Sequence, residues 1–245
     1  MSIKVEYSDN FKSITENCVK SRSHLGGGNP SAKILFVGQE SANEKREDWY
    51  DNNAKEWQNK ILNNVDLLDF KREGKFKEGH TWNKYQRLHN YIFPENSSDD
   101  FINFEERVFT TEMSDNPAKR NGEAKKNANF KLDLQNRKDT FFNEDFIQDF
   151  KVVVLACSGY IVNNEKNWEI NNLFKVEYPG DDFEYIEGFK ASKIYSRGNW
   201  YFLHLNKEKT KLVIHTRQLS SNVNDDLLRD MGKIIREHLI KNSLL

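Results

Sequence analysis

Two short polar segments carry residue types from which a hydrolytic site can be built. The first reads Gly38-Gln39-Glu40-Ser41-Ala42, and the second reads His215-Thr216-Arg217-Gln218-Leu219-Ser220. A carboxylate such as Glu40 can position water and stabilise a cationic sugar, and an imidazole such as His215 can hydrogen-bond a developing anion. Each segment follows an apolar run of strand type, and ligand sites gather at such strand ends in open α/β sheets. We therefore predict that Glu40 and His215 face one pocket.

The two segments resemble the signature loops of the uracil-DNA glycosylase superfamily. In that family the first loop reads Gly-Gln-Asp-Pro-Tyr, or a shorter relative that begins with Gly, and the second reads His-Pro-Ser-Pro-Leu-Ser. Glu40 stands where the family has Asp, and the matching positions are Gly38, Gln39, His215, Leu219 and Ser220. The resemblance covers the core from about residue 33 to residue 239, with long insertions between the loops.

This resemblance implies a three-layer α/β/α sandwich with a mostly parallel central sheet. It also implies one domain over residues 1–245, with the core at about 33–240 and an N-terminal extension at 1–31. The implied activity is DNA repair by excision of a damaged or deaminated base, which is flipped out of the stack before its N-glycosidic bond is hydrolysed. Such a hydrolase needs no metal and no organic cofactor, and DNA would be its partner.

Individual residues receive roles from the same resemblance. Glu40 would activate water and stabilise the sugar cation, and His215 would hydrogen-bond the departing base. Leu219 would fill the gap that the flipped base leaves in the stack. The residues assigned to the base or substrate are Gly38, Gln39, Ser41, Thr111 and Ser158. Those assigned to contact with DNA are Arg217, Leu219 and Ser220.

Several positions depart from the family pattern. Glu40 is one methylene longer than Asp, and Ser41 and Ala42 replace the Pro and the Tyr that excludes thymine. The family's uracil-reading Asn has no clear match, and its place is taken by Thr110, Thr111 or Glu112. The aromatic residue that stacks on the base would be Trp49, Tyr50 or Trp57. These departures favour a second hypothesis, a nucleic-acid or nucleotide binding protein that keeps the fold without catalysis. A third is an unrelated α/β enzyme that acts on a small nucleotide or sugar.

Ordinary structural roles account for the same three key side chains. The position of Glu40 also fits a solvated loop residue or a helix cap. The position of His215 also fits a structural histidine whose hydrogen bonds are satisfied. Leu219 is equally placed to be the apolar residue that staples the start of the last helix. The sequence leaves the functional and the structural interpretation of each residue open.

The hydrophobic pattern predicts the elements that would position these loops. Apolar runs predict strands at 33–38, 105–111 and 151–159, and the runs at 200–205 and 211–215 either pair as a hairpin or lie apart. Spacings of three and four predict a helix through Trp57, Ile61, Val65 and Leu68, a second at 82–92 and a third at 223–239, capped by Ser221 or Asn222. The run 24–30, with three glycines, predicts a flexible turn, and 160–200 stays unassigned. This order indicates an α/β sandwich.

Composition limits the classes of partner. The chain of 245 residues carries 37 Lys and Arg against 38 Asp and Glu, a net charge of −1, so binding to DNA needs a local basic face. The stretch 114–139 is either that face or a solvated polar run. Its two cysteines exclude paired Cys-x-x-Cys metal sites, and Cys157, in an apolar run, predicts a buried free thiol. Lacking an apolar leader or a window of about 18 apolar residues, the chain is expected to be cytoplasmic, without a membrane partner.

Overall fold

The computed structural model describes residues 2–41, 46–74, 80–118, 123–220 and 222–245, and of residues 46–51 the backbone alone. Within that part of the chain, the centre is a sheet of seven strands. In chain order they are β1 (Gly27–Gly28), β2 (Ile34–Gly38), β3 (Val108–Glu112), β4 (Val152–Leu155), β5 (Ser192–Ser196), β6 (Asn199–Leu205) and β7 (Leu212–Thr216). Across the sheet the order is β5-β6-β7-β4-β2-β3-β1.

The four central strands, β7, β4, β2 and β3, run parallel. Val37 of β2 pairs with Thr111 of β3 and with Leu155 of β4, and Leu155 pairs with His215 of β7. The three outer strands β1, β5 and β6 are antiparallel to their neighbours. The predicted α/β class is therefore confirmed, with a sheet that is parallel at its centre and mixed as a whole. Because the central strands are parallel, their carboxyl ends all meet at one edge.

Helices cover both faces of the sheet, which is why the central strands are apolar on both sides. The helices are α1 (Asp9–Ser21), α2 (Arg46–Leu62), α3 (Thr81–Ile92), α4 (Phe130–Asp139), α5 (Asp145–Gln148), α6 (Glu169–Phe174) and α7 (Asp225–Lys241). Helices α1, α2, α4, α5 and α6 pack in one apolar cluster with Leu35, Val37 and Leu155. Helices α3 and α7 pack in the other with Phe36, Val154 and Ile214. Each face of the sheet thus has its own core.

The predicted helix through Leu68 is wrong at its end. Helix α2 ends at Leu62, and Asn64 takes a left-handed conformation with φ of 52°. The chain then turns, and Leu67–Leu68 pairs antiparallel with Ile3–Lys4. The two asparagines at 63 and 64 indicate that the helix ends there, because Asn tolerates positive φ better than most non-glycine residues.

The glycine run is part of the sheet, which corrects the prediction of a flexible turn. Gly27 and Gly28 form β1 and pair with Thr110 and Phe109. A Cβ on Gly28 would lie 2.2 Å from the Val108 carbonyl oxygen, and φ at Gly28 is 98°. Glycine is needed here because the backbones approach closely in a conformation that side chains disfavour.

The C-terminal part completes the sheet. Residues 200–205 and 211–215 pair as a hairpin, which settles the open alternative. The unassigned region 160–200 contains α6 and β5, and α7 begins after the Asn224 cap, not after Ser221 or Asn222. Cys18 and Cys157 are buried free thiols, as predicted for Cys157. None of the helices described is both long enough and apolar enough to cross a membrane.

Short antiparallel ribbons decorate the periphery. One is the pairing of Ile3–Lys4 with Leu67–Leu68. The others pair Arg72–Glu73 with Phe101–Ile102, Asn163–Asn164 with Asn167–Trp168, and Glu184–Ile186 with Phe189–Lys190. They lie outside the central sheet and leave its carboxyl edge to the loops that follow β2, β3, β4 and β7.

Candidate functional site

The ends of β2 and β4 mark the point where the connections of the sheet reverse direction. From β2 the chain leads to β3 on one side, and from β4 it leads to β5, β6 and β7 on the other. Ligands in open α/β sheets bind outside the carboxyl ends of strands at such a point. Gln39, just after β2, donates from Nε2 to the Cys157 carbonyl oxygen at 3.3 Å and so joins the two loops. Backbone bonds from Met113 to Gly38 and from Ser114 to Gln39, both 2.9 Å, bring in the end of β3.

Four polar side chains from these three loops converge here, and we call them the carboxyl-edge cluster: the buried Gln39 and Tyr160 and the half-buried Glu40 and Glu112. Gln39 Oε1 and Glu112 Oε2 are buried without a hydrogen-bond partner in the part of the chain that is described, whereas the Tyr160 hydroxyl interacts with the Glu40 carboxyl group. Leaving one such group unpaired costs about 1–3 kcal/mol. These two atoms can therefore form hydrogen bonds that the described residues do not supply.

Glu40 lies between an aromatic hydroxyl and a cation. Burial raises the pKa of its carboxyl, while the Tyr160 hydroxyl and the charge of Lys125 oppose that rise. Lys125 Nζ lies 4.9 Å from the centre of the Tyr160 ring, so it reaches the site from the segment before α4. The Tyr160 ring packs edge-on against Phe130, with 5.3 Å between centroids. A carboxylate held in this way is suited to accept a proton from water.

Glu112 ends β3 directly opposite Gly38. A Cβ built on Gly38 would lie 2.1 Å from Glu112 Oε2, so glycine at position 38 makes room for this carboxyl group. Burial and the neighbouring charge of Glu40 raise the pKa of Glu112 to about 8, although Arg137 opposes the rise. At neutral pH Glu112 is therefore mainly a neutral acid, while Glu40 is the member of the pair that ionises first.

His215 contacts the loop that follows β4 at Ser158, whereas Glu40 contacts the same loop at Tyr160. His215 Nε2 lies 2.9 Å from the Ser158 carbonyl oxygen, and its ring packs edge-on against Trp200 at 4.9 Å. A carbonyl oxygen only accepts, so Nε2 must carry the proton, and burial lowers the pKa of the imidazole. The neutral ring then has no second proton to give. Glu40 and His215 thus border the same loop, one beside Tyr160 and the other beside Ser158.

Ser158 connects the loops after β4 and β7. Its Oγ accepts from the Gln218 backbone N–H at 3.1 Å, and its φ of 49° is left-handed, which is uncommon for a non-glycine residue. Such strained residues cluster at binding and active sites. The predicted base-site residue Ser158 is therefore a bridge within the site, between Tyr160 and His215.

The other residues predicted for the base site lie deeper or at its margin. Thr111 is buried and accepts a hydrogen bond from Arg137 Nη2 at 3.1 Å, which directs its hydroxyl toward α4. Ser41 is partly exposed, and its carbonyl oxygen accepts from the Ala118 N–H at 3.0 Å. Trp57 is buried and donates to the Gly26 carbonyl oxygen at 2.8 Å, so it belongs to the core. The side chains of Trp49 and Tyr50, and Ala42, lie outside the described residues.

The residues predicted to contact DNA lie in the loop after β7. Leu219 is fully buried in the core shared by α3 and α7, and a wedge role would require it to leave that core. Arg217 donates to the carbonyl oxygens of Gln218, at 3.2 Å, and Asn222, at 3.1 Å, and so shapes its own loop. Ser220 is partly exposed at the end of this loop.

The basic stretch 114–139 is divided between core and surface. Arg137 and Lys138 are buried and form ion pairs with Asp115 at 2.8 Å and Glu169 at 2.9 Å. Two of the cations that would bind phosphate are therefore structural. Lys125, Lys126 and Lys131 are exposed, while Lys119 and Arg120 lie outside the described residues.

Sequence reasoning missed two members of the cluster as site residues. Tyr160 fell at the start of the unassigned region, and Glu112 was one of three candidates for the place of the family's Asn. The available signal for Glu112 was the pairing of a glycine with a carboxylate at two adjacent strand ends, which requires the strand register. Comparison of the chain with family models, with curated proteins and with solved structures finds no match.

The groups that could do chemistry at this edge are side chains of the described residues. In the described part of the chain, no group of three or more His, Cys, Asp or Glu residues is placed to hold a metal ion. The groups at the edge are instead one ionisable carboxylate, one neutral acid, an amide and a phenol. Such a set can hydrogen-bond a neutral polar ligand and can accept and donate one proton.

Proposed function

We propose that this protein hydrolyses the N-glycosidic bond of a nucleobase in DNA, as a divergent relative of the uracil-DNA glycosylase superfamily with that family's sandwich. The observation that supports the proposal is the carboxyl-edge cluster at the reversal point of the sheet, where Gln39 Oε1 and Glu112 Oε2 have no hydrogen-bond partner among the described residues. The edge of a nucleobase presents adjacent donors and acceptors, which this set of groups complements. A base would have to leave the stack to meet these groups.

The geometry suggests a division of labour. Gln39 Nε2 is engaged with Cys157, so its free Oε1 would accept an N–H of the base. Glu40 would take the proton of the attacking water and stabilise the positive charge that develops on the sugar. Tyr160 would hold Glu40 in place through its hydroxyl. The exposed lysines 125, 126 and 131 would meet the phosphate backbone.

The test is excision from synthetic oligonucleotides that carry uracil, hypoxanthine or a mismatch, in single and double strands. After alkali treatment, a gel shows cleavage wherever a base was removed. The wild type is expected to cleave at least one of these, and Glu40→Gln to lower the rate by about 100-fold or more, because a general base contributes that much. Glu56→Gln, an exposed carboxyl on α2, is the matched control and should keep the wild-type rate.

A second function, binding without excision, is supported by one observation. The Nε2–H of His215 donates its hydrogen bond to the Ser158 carbonyl oxygen, so this N–H is already engaged and is not offered to a departing base. A binding protein would retain oligonucleotides with an affinity that falls steeply with salt, because phosphate contacts release counterions. Binding without cleavage of any substrate would favour this function over excision. Absence of both binding and cleavage would contradict both functions.

A further inference from the structure

A departing base needs either a stabilising hydrogen bond or a proton. When the C–N bond breaks, its electron pair stays on the base, and general acids assist such steps by protonating the leaving group. The Nε2–H group of His215 already donates a hydrogen bond to the Ser158 carbonyl oxygen. Within the carboxyl-edge cluster, the side chains that carry an acidic proton at neutral pH are the Glu112 carboxyl and the Tyr160 hydroxyl. Burial and Glu40 raise the pKa of Tyr160, so its hydroxyl is a poor acid.

We propose that Glu112 is the general acid of the site, and that it protonates a purine base as that base departs while Glu40 deprotonates the attacking water. This inference rests on the function proposed above. It adds a catalytic residue that the two loop motifs do not contain, and it names the class of base.

The position of Glu112 fits the role. Its carboxyl lies against Gly38 at the strand end, with Oε2 buried and unpartnered, while part of the residue stays accessible. Arg137 Nε binds its backbone carbonyl oxygen at 2.9 Å and so fixes the end of β3 against α4. When Glu112 is protonated, Oε2 can carry the proton and donate it to a ligand.

Four ionisable groups surround this carboxyl. Glu40 approaches from the loop after β2, Cys157 from the loop after β4, Tyr85 from α3 and Arg137 from α4. Of these, Glu40 favours the protonated form of Glu112 and Arg137 opposes it, while burial raises the pKa values of both Tyr85 and Cys157, which keeps these groups neutral. Two carboxyl groups in one site resist ionising together, so the pair holds one proton at neutral pH.

The proton and electron balance closes without a further reactant. Glu112 gives its proton to a ring nitrogen of the base, and the C–N bonding pair becomes a lone pair on the departing base. Water adds its oxygen to the sugar carbon, and its proton goes to Glu40. The products are a neutral base and a sugar hydroxyl, with Glu112 ionised and Glu40 protonated. Transfer of one proton from Glu40 to Glu112 restores the starting state.

A site that protonates the base as it departs favours bases that have an accessible ring nitrogen to accept the proton. The N7 atom of a purine has an accessible lone pair that accepts a proton, so an acid at the site assists purines most. A deaminated purine such as hypoxanthine also presents an N–H donor, which the free Gln39 Oε1 can accept. We therefore expect hypoxanthine to be excised faster than uracil.

The test compares hypoxanthine with 7-deazahypoxanthine, which has the same outline but lacks N7, in otherwise identical oligonucleotides. Single-turnover excision by the wild type should be at least about 100-fold faster for hypoxanthine. Glu112→Gln should excise both bases at a similar slow rate and should lack the fall in rate above about pH 8 that Glu112 imposes on the wild type. Glu105→Gln, a buried carboxyl that binds Arg72 just before β3, is the control and should behave as the wild type.

The outcomes separate the two proposals. If the wild type excises both bases equally fast, Glu112 is not the acid, and this result needs no variant that folds. If Glu112→Gln keeps the wild-type rate on hypoxanthine, the inference is overturned while excision itself stands. If the wild type excises uracil only, the assignment to purines is wrong. If it excises none of the bases, the proposed function fails and this inference fails with it.

Discussion

Gln39 and Gln86 are both buried glutamines, and they differ in how many of their hydrogen bonds the protein supplies. Gln86, on α3, accepts from the backbone N–H groups of Asn103 at 2.8 Å and Phe104 at 2.9 Å, and donates to Asn90 and Asn103. Gln39 makes one bond at 3.3 Å and leaves Oε1 unpartnered. The first amide is satisfied by the residues around it, and the second keeps an acceptor without a partner among the described residues. Buried polar groups that are not satisfied by their own chain call for an explanation of this kind.

The largest expected difference between the two glutamines is the loss of stability when each is replaced by alanine. Gln86→Ala leaves the backbone N–H groups of Asn103 and Phe104 without their acceptor and removes the bonds to the Asn90 and Asn103 side chains, and we expect it to lower the free energy of unfolding by about 3 kcal/mol. Gln39→Ala breaks one long hydrogen bond and should cost about 1 kcal/mol or less. Urea denaturation at pH 7 measures both. Equal losses would show that the carboxyl-edge glutamine is as structural as its counterpart.

Two glycines at the same edge allow a second test. Gly38→Ala puts a Cβ within 2.1 Å of Glu112 Oε2, so the flexible carboxyl must move away while the backbone stays folded. A displaced catalytic group lowers the rate of excision by about 100-fold. Gly159→Ala meets open space and has an ordinary φ of −80°, so it should leave the rate unchanged. Single-turnover assays with melting curves compare the two variants. Full activity in Gly38→Ala would remove Glu112 from the site.

Stability against pH tests the buried acid without any substrate. The pKa of Glu112 is raised from 4.5 to about 8 in the folded protein, so between these values the folded state holds a proton that the unfolded chain releases. Stability contributed by this proton is complete below about pH 4.5 and is lost as the pH rises toward 8. Glu112→Gln should lack this loss, which has a slope of about 1.4 kcal/mol for each pH unit between the two values. Urea titrations from pH 5 to pH 8.5 give the difference, and parallel curves for the two proteins would contradict a protonated Glu112.

The smallest expected effect comes from His215. Because its Nε2–H already donates to the Ser158 carbonyl oxygen, His215→Ala should lower excision less than tenfold, through a looser loop. Glu112→Gln, measured beside it, should lower excision far more. A loss at His215 as large as the loss at Glu112 would restore the imidazole as the group that assists the departing base.

Local sequence patterns predicted the parts of the fold that depend on near neighbours. The apolar runs at 33–38 and 151–159 predicted β2 and β4, and the polar residues behind them predicted where a site would form. Glu40 became a candidate site residue in this way and stays a prediction, because position at the end of a buried strand is a local property. The C-terminal helix was predicted by its spacing, since its apolar stripe is continuous.

The remaining features depend on contacts between distant segments. Glu112 became a site residue only when strand register placed it opposite Gly38, and Tyr160 only when its loop met Glu40. Arg137 and Lys138 resembled surface cations because their partners, Asp115 and Glu169, lie 22 and 31 residues away. The glycine run 26–28 resembled a turn because nothing local showed the strand that it pairs with.

The central claim is that the carboxyl-edge cluster takes up the edge of a nucleobase, and the side-chain amide of Gln39 reports on it directly. Nitrogen–proton spectra of the wild type, recorded while hypoxanthine is added, follow the amides of Gln39 and Gln86 in one sample. We predict that the Gln39 amide shifts saturably with ligand concentration and that the Gln86 amide stays in place. A Gln39 amide that does not shift at saturating hypoxanthine, or two amides that shift together, would contradict the claim.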